Sequence, residues 1–178
     1  MSLDLTTDLF GRESTSIISG CGHYRYLICE RWSDARVAGF VCHNPSTATH
    51  EKQDHTKSRL RNFAIAWQCG GYWIANRYAG GRSPHPGDLD AMADPIGPDN
   101  DRWLGMLAKN VDLIVVAWGD LYAPPEHTQR VIDILSATGK PLYCLGTNAS
   151  GSPKHPATRG RSSIPAGQQP ILWHPRMP

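Results

Sequence analysis

Four apolar runs in this chain each lead into a polar group able to do chemistry. His43-Asn44-Pro45-Ser46 comes directly after Val37-Ala38-Gly39-Phe40-Val41-Cys42, and Asn76 closes Tyr72-Trp73-Ile74-Ala75. Trp118-Gly119-Asp120 ends the run over residues 111–117, and His155-Pro156 sits in the polar loop after Pro141-Leu142-Tyr143-Cys144-Leu145. An asparagine amide donates and accepts at once, so it can orient a ligand that enters the crevice. A histidine donates to an anion as it develops. Pro45 removes a ladder donor and stops its strand, while the small Ser46 and Thr47 leave room for a ligand to approach. Asn-Pro is also ordinary turn punctuation. Asp54 has two uses: it is an N-cap for the helix that follows, and it is near enough to the Asn44 loop to act as a base.

The elements that must position these groups follow from periodicity. The short apolar runs read as buried strands. Residues 14–32 read as a hairpin turning at Gly20-Cys21-Gly22. Leu60, Phe63, Ala64 and Trp67 recur at helical spacing over residues 55–69, with Gly70 and Gly71 as the stop. Further helices are expected after Asp99-Asn100 and over residues 126–138. Strands alternating with helices predict an α/β fold. The expected form is a three-layer α/β/α domain with a central, mainly parallel sheet of about four strands and an N-terminal antiparallel hairpin. Right-handed crossovers bring the carboxyl ends of parallel strands to one rim, where open α/β sheets bind ligands. The whole chain, residues 1–178, reads as one domain. Residues 1–13 are expected to be a loose arm, and 162–178 a C-terminal extension with one short edge strand. The glycine- and proline-rich stretch over residues 79–98 reads as a long functional loop.

Composition narrows the function. Eighteen basic against sixteen acidic residues give a net charge of +2, too little to announce a nucleic-acid partner. The basic residues do gather at loops, however, as in Lys57, Arg59 and Arg61 or Lys154, Arg159 and Arg161. Five cysteines without C-x-x-C spacing argue against a disulfide framework and a structural metal site, and for a reducing cytoplasm. His43, His50 and His55 with Asp54 fit no standard metal spacing. No apolar run approaches the roughly 20 residues of a membrane helix, and the N-terminus lacks the pattern of a signal peptide. Phosphate-loop and dinucleotide fingerprints are absent, and Ser46 lacks a nucleophile elbow.

The order of these pieces resembles the uracil-DNA glycosylase superfamily. Asn44-Pro45-Ser46 is similar to its first strand-end motif, Asn76 to its base-reading asparagine, Trp118-Gly119 to its later strand end, and His155-Pro156-Ala157 to its final His-Pro-Ser. The chain also looks like a bacterial and phage family carrying the same Asn-Pro-Ser, Pro-Ile-Gly, Ala-Trp-Gly and His-Pro blocks. The resemblance spans roughly residues 24–160 of the chain. It implies hydrolysis of an N-glycosidic bond in DNA after base flipping, with no metal or organic cofactor and no obligate protein partner. Asn44 and His155 would be catalytic. Asn76, His43, Ser46 and Asp54 would form the base pocket, and Lys154, Arg159, Arg161 and Arg59 would hold DNA. Ser46 and Ala157 depart from the superfamily's usual residues, and Asp54 and the insert over residues 47–57 have no simple counterpart there, which points away from uracil. The length of that pocket loop suits a bulkier damaged or modified base, such as a modified pyrimidine of phage DNA. A non-catalytic nucleic-acid-binding module on the same fold, or an enzyme of free modified nucleosides or nucleotides, fits the same residues. Repair, phage defence and phage DNA modification all remain open as roles.

Overall fold

The computed structural model describes residues 6–7, 11, 13–46, 54–81, 89–160 and 163–173. Its elements in chain order are β1 (Thr6–Thr7), β2 (Glu13–Ile18), β3 (Arg25–Arg31), β4 (Val37–Cys42), α1 (His55–Ala66) and β5 (Gly71–Asn76). They continue with α2 (Asn100–Asn110), β6 (Leu113–Val116), α3 (Pro125–Ser136), β7 (Leu142–Cys144) and β8 (Ile171–Leu172). All the strands join one sheet in the order β1-β2-β3-β5-β4-β6-β7-β8. The sheet is mixed: β4 pairs in parallel with both β5 and β6, and β6 with β7, while every other pairing is antiparallel.

This corrects the expectation of a mainly parallel sheet of about four strands. The four parallel strands are present as its centre. The N-terminal hairpin does not stand apart from them, because β3 docks antiparallel on β5 with Ile28 opposite Ile74. The expected loose arm contributes an edge strand of its own, with Thr6 opposite Ser14. Two-residue strands carry no periodicity that sequence reading can detect.

Side chains alternate across the central strands, as a pleated sheet covered on both faces requires. From β4, Ala38, Phe40 and Cys42 join Leu60, Phe63 and Ala64 of α1 in one apolar cluster. Val37 and Val41 of the same strand join Leu104 and Leu107 of α2 and Val131 and Leu135 of α3 in the other. One helix therefore covers one face and two cover the opposite face. The C-terminal segment belongs to this core: Ile164 is buried on the α1 side and Trp173 on the α2/α3 side. Trp67 Nε1 donates to the Gln168 carbonyl at 2.8 Å.

The helix ends differ from expectation in informative ways. Asp54 caps α1 as expected, accepting from Lys57 N at 2.7 Å. Gly70 and Gly71 do not stop α1, which ends at Ala66; Gln68 takes the left-handed turn at φ 59°. Gly70 is instead a close-approach residue, since a Cβ there would lie 2.5 Å from the Ser33 carbonyl oxygen. Asp99 makes no side-chain cap on α2, and Asn100 turns its amide to the carbonyls of Asn76 (3.2 Å) and Arg77 (2.9 Å). No helix among the described residues is long and apolar enough to cross a membrane.

Candidate active site

The carboxyl ends of β4 and β5 are held side by side. Cys42 lies opposite Asn76, and the pairing runs on past both strands, with Arg77 N donating to Cys42 O (2.9 Å) and Tyr78 N to His43 O (3.0 Å). The loops after β6 and β7 meet at the same rim, where Gly119 N donates to Pro153 O at 2.9 Å. A cavity of about 380 Å³ opens there, within the range of roughly 300–1,000 Å³ usual for small-molecule sites. His43, Asn44, Ser46, Asp54, Asn76 and His155 all line it. These are the six residues that the sequence assigned to catalysis and base binding, drawn from positions more than a hundred residues apart.

Each polar group has a definite orientation. Asn44 donates Nδ2 to the carbonyls of Gly81 (3.0 Å) and Pro45 (3.3 Å), which fixes the amide and leaves Oδ1 as its acceptor. Asn76, 2% exposed, faces acceptors and donors that its amide satisfies only with Nδ2 turned to the Asn44 carbonyl, 3.2 Å away. This side chain latches the two strand ends together and so commits its donors to the backbone. Ala157 N donates to His155 Nδ1 at 3.2 Å. An Nδ1 that accepts cannot carry the ring proton, so His155 presents Nε2–H. Burial lowers the pKa of His155, against the opposing pull of the Asp54 carboxylate.

His43 is fixed in the same way by a different partner. Arg77 Nη2 donates to its Nδ1 at 2.7 Å, which places the proton on Nε2. Burial first, and the Arg77 charge second, push the pKa of His43 down to about 3. Of the three histidines that line the cavity, His43 and His155 are thus neutral imidazoles with the ring N–H on Nε2, and His55 begins α1. Asp54 is the sole carboxylate among the described residues lining the cavity; one of its oxygens caps α1. Cys42 also reaches the wall, but burial pushes its thiol up to about 12, so it offers no thiolate.

Sequence reading missed two cations. Arg25 lines the cavity because β3 runs antiparallel to β5 and so starts at the rim where β5 ends. Its Nη1 donates to Ser46 O at 3.1 Å. Lys57, read as part of a surface patch, is buried in the wall of the cavity and ion-paired with Glu30 at 2.6 Å. A lysine one turn into a helix carries no local sign that a glutamate from a distant strand awaits it.

Of the residues expected to hold DNA, Arg59, Lys154 and Arg159 do not line the cavity. Arg59 is structural: Nη2 donates to Ile164 O at 2.5 Å and the guanidinium lies 5.2 Å from the centre of the Phe63 ring. Lys154 is half-buried and Arg159 exposed on the loop around His155. Arg161 lies outside the described residues. Among the described residues no cluster of histidine, cysteine, aspartate or glutamate could hold a metal ion.

The fold and site define a mixed α/β protein with a polar, histidine-bearing cavity at the carboxyl rim of its parallel strands. Residues 25–157 match the family model DUF1643, described as a protein of unknown function, and the chain belongs to that family. The matched stretch contains every residue named above as lining the cavity. No curated protein and no solved structure matches the chain.

Proposed function

We propose that the rim cavity hydrolyses the N-glycosidic bond of a nucleotide whose base enters it, as a DNA glycosylase does. The observation that carries this reading is one cavity shared by an immobilised amide, a carboxylate and two neutral imidazoles protonated on Nε2. Departure of a base leaves an oxocarbenium-like sugar and puts negative charge on the base. His43 and His155 supply fixed donors for that charge without adding a proton they would have to lose. Asp54 stabilises the cationic sugar and accepts the proton of the attacking water, which Asn44 holds through Oδ1. Water adds to C1′, the bond to the base nitrogen breaks, and the released base takes up a proton. Arg25 adds positive potential around the leaving group, while the charge of Lys57 is balanced by Glu30.

The resemblance to uracil-DNA glycosylases supports the same assignment of Asn44 and His155. Lys154 and Arg159 would contact the phosphate backbone, and DNA would be the partner. The free cysteines among the described residues fit a reducing compartment such as the cytoplasm. One observation favours a second reading, an enzyme of free modified nucleosides or nucleotides: Arg59, counted toward DNA binding, is tied to Ile164 and Phe63.

The test is base release from a panel of DNAs and free nucleosides carrying uracil, deaminated purines or hydroxymethylated pyrimidines, with wild type and Asn44→Ala. An abasic product from wild type that vanishes in the variant is expected. Release from nucleosides alone would establish the second reading, and no release from any substrate would refute hydrolysis.

A further inference from the structure

A second cavity, of about 440 Å³, opens beside the first and shares Leu121 with it. Arg77 lines this cavity, together with Trp118, Thr128, Asp120 and Tyr122. Arg77 is 3% exposed. Its Nη1 donates to Thr128 Oγ1 (3.2 Å) and its Nη2 to His43 Nδ1 (2.7 Å) and Leu121 O (2.9 Å). The guanidinium lies 5.1 Å from the centre of the Trp118 ring, and Nε is buried without a hydrogen-bond partner. Every one of these acceptors is neutral. Among the described residues no carboxylate pairs with Arg77. Asp120 lines the same cavity, but its carboxylate takes a hydrogen bond from Ser150.

A buried guanidinium lacking a counter-ion is costly, because desolvation is not offset by an opposite charge. The same cavity holds the start of α3, where Pro124, the residue before the helix, provides no side-chain cap. Pro125 at the first helical position has no N–H, so the backbone donors left free at this start are those of Glu126 and His127, which favour an anion even though Glu126 places its own carboxylate in the first turn. Tyr122, 82% exposed, stands at the mouth, where its ring offers a stacking surface.

We propose that this second cavity is a phosphate-binding subsite for a nucleotide, with the phosphate against Arg77 and the start of α3 and the base on Tyr122. It goes beyond the hydrolysis assigned to the first cavity and does not depend on it. The shared chemistry is a phosphate ester next to an aromatic base. It would come either from a phosphodiester that flanks the nucleotide in the first cavity or from a free nucleotide. Arg77 joins the two sites, because the guanidinium that would take the phosphate also fixes the tautomer of His43.

The test is thermal unfolding of the full chain with inorganic phosphate, a deoxynucleoside monophosphate or a short single-stranded oligonucleotide. Wild type, Thr128→Asp and Gln129→Glu are compared. A ligand that binds the native state raises the melting temperature. In wild type, a rise with the monophosphate or the oligonucleotide is expected, and the stronger of the two identifies the source. Thr128→Asp supplies Arg77 with an internal counter-ion, so it should melt higher without ligand and bind at least tenfold more weakly. Gln129→Glu adds charge at the cavity edge without touching a buried group, and should weaken binding in the same direction. No rise in wild type with any of the three anions, or a Thr128→Asp response equal to that of wild type, would overturn the proposal. Base release enters none of these readouts, so failure of hydrolysis and failure of this subsite are separable.

Discussion

Arg77 Nη2 stands 2.7 Å from Nδ1 of His43, a hydrogen bond from a buried guanidinium to a neutral imidazole. Protonating that imidazole would set two positive charges against each other in a buried place, so the folded protein resists it. The pKa of His43 is about 3 in the native state, against roughly 6.5 for an ordinary histidine. Between those values the unfolded chain binds a proton that the native state does not. Stability from this group is therefore full above about pH 6.5 and falls with pH toward 3, by up to about 1.4 kcal/mol per pH unit. His155 and His127 are lowered too, chiefly by burial, and act in the same direction. Urea unfolding between about pH 4.5 and 7.5 should show this slope. His43→Gln keeps an acceptor for Arg77 and cannot titrate, so its slope should be shallower. Equal slopes in the two proteins would refute the neutral assignment.

Asp54 serves two roles that one pair of substitutions separates. As a cap it accepts from Lys57 N at 2.7 Å, and asparagine caps a helix about as well as aspartate. Asp54→Asn should thus leave the melting temperature nearly unchanged while lowering base release by about 10²-fold or more. Asp54→Ala should show the same loss of activity and cost about 1 kcal/mol of stability besides. Wild-type turnover in Asp54→Asn would reduce Asp54 to a cap.

Lys57 and Glu30 form a buried pair, with Arg61 Nε further from the same carboxylate at 3.7 Å. Removing Lys57 leaves the largely buried Glu30 carboxylate with only the longer contact to Arg61. Lys57→Met should cost about 3–5 kcal/mol. Replacing both, as Lys57→Met with Glu30→Leu, should recover most of that loss, because the uncompensated charge is gone. A double variant as unstable as the single one would show that Lys57 stabilises by something other than this pair.

The sequence makes legible whatever depends on local pattern. β4 matches the apolar run over residues 37–42, and α1 lies on the predicted Leu60, Phe63, Ala64 face. Five of the six cavity residues could be found because they lie in segments that follow apolar runs, and parallel strands must end together; Asp54 was found as the cap of the helix after the Asn44 loop. Arg25, Lys57 and the inner role of Arg77 could not be found that way. Each depends on a partner set by strand order: β3 against β5, Glu30 beneath α1, and His43 beside the residue after Asn76. Composition marks all three as cations, and cations read as surface until the sheet order is known. The same blindness explains Arg59, whose guanidinium is spent on the backbone of a C-terminal segment 105 residues away.

Gly119 offers a direct test of His155. Its φ is +76°, and a Cβ there would come 3.1 Å from the Cβ of His155. Gly119→Ala should therefore do two things. The left-handed backbone costs roughly 1–2 kcal/mol for a residue with a Cβ, and the new methyl group pushes His155 off its position. Gly139 provides the control, since its φ is +74° and a Cβ added there would meet nothing within 4 Å. Gly139→Ala should lose similar stability and keep its base release. If His155 donates Nε2–H to the departing base, Gly119→Ala should lower kcat by about tenfold or more with KM little changed, the mark of an interaction made in the transition state. If the two alanine variants lose stability equally and both keep full turnover, His155 does not act on the leaving group, and His43 remains as the donor to be tested next.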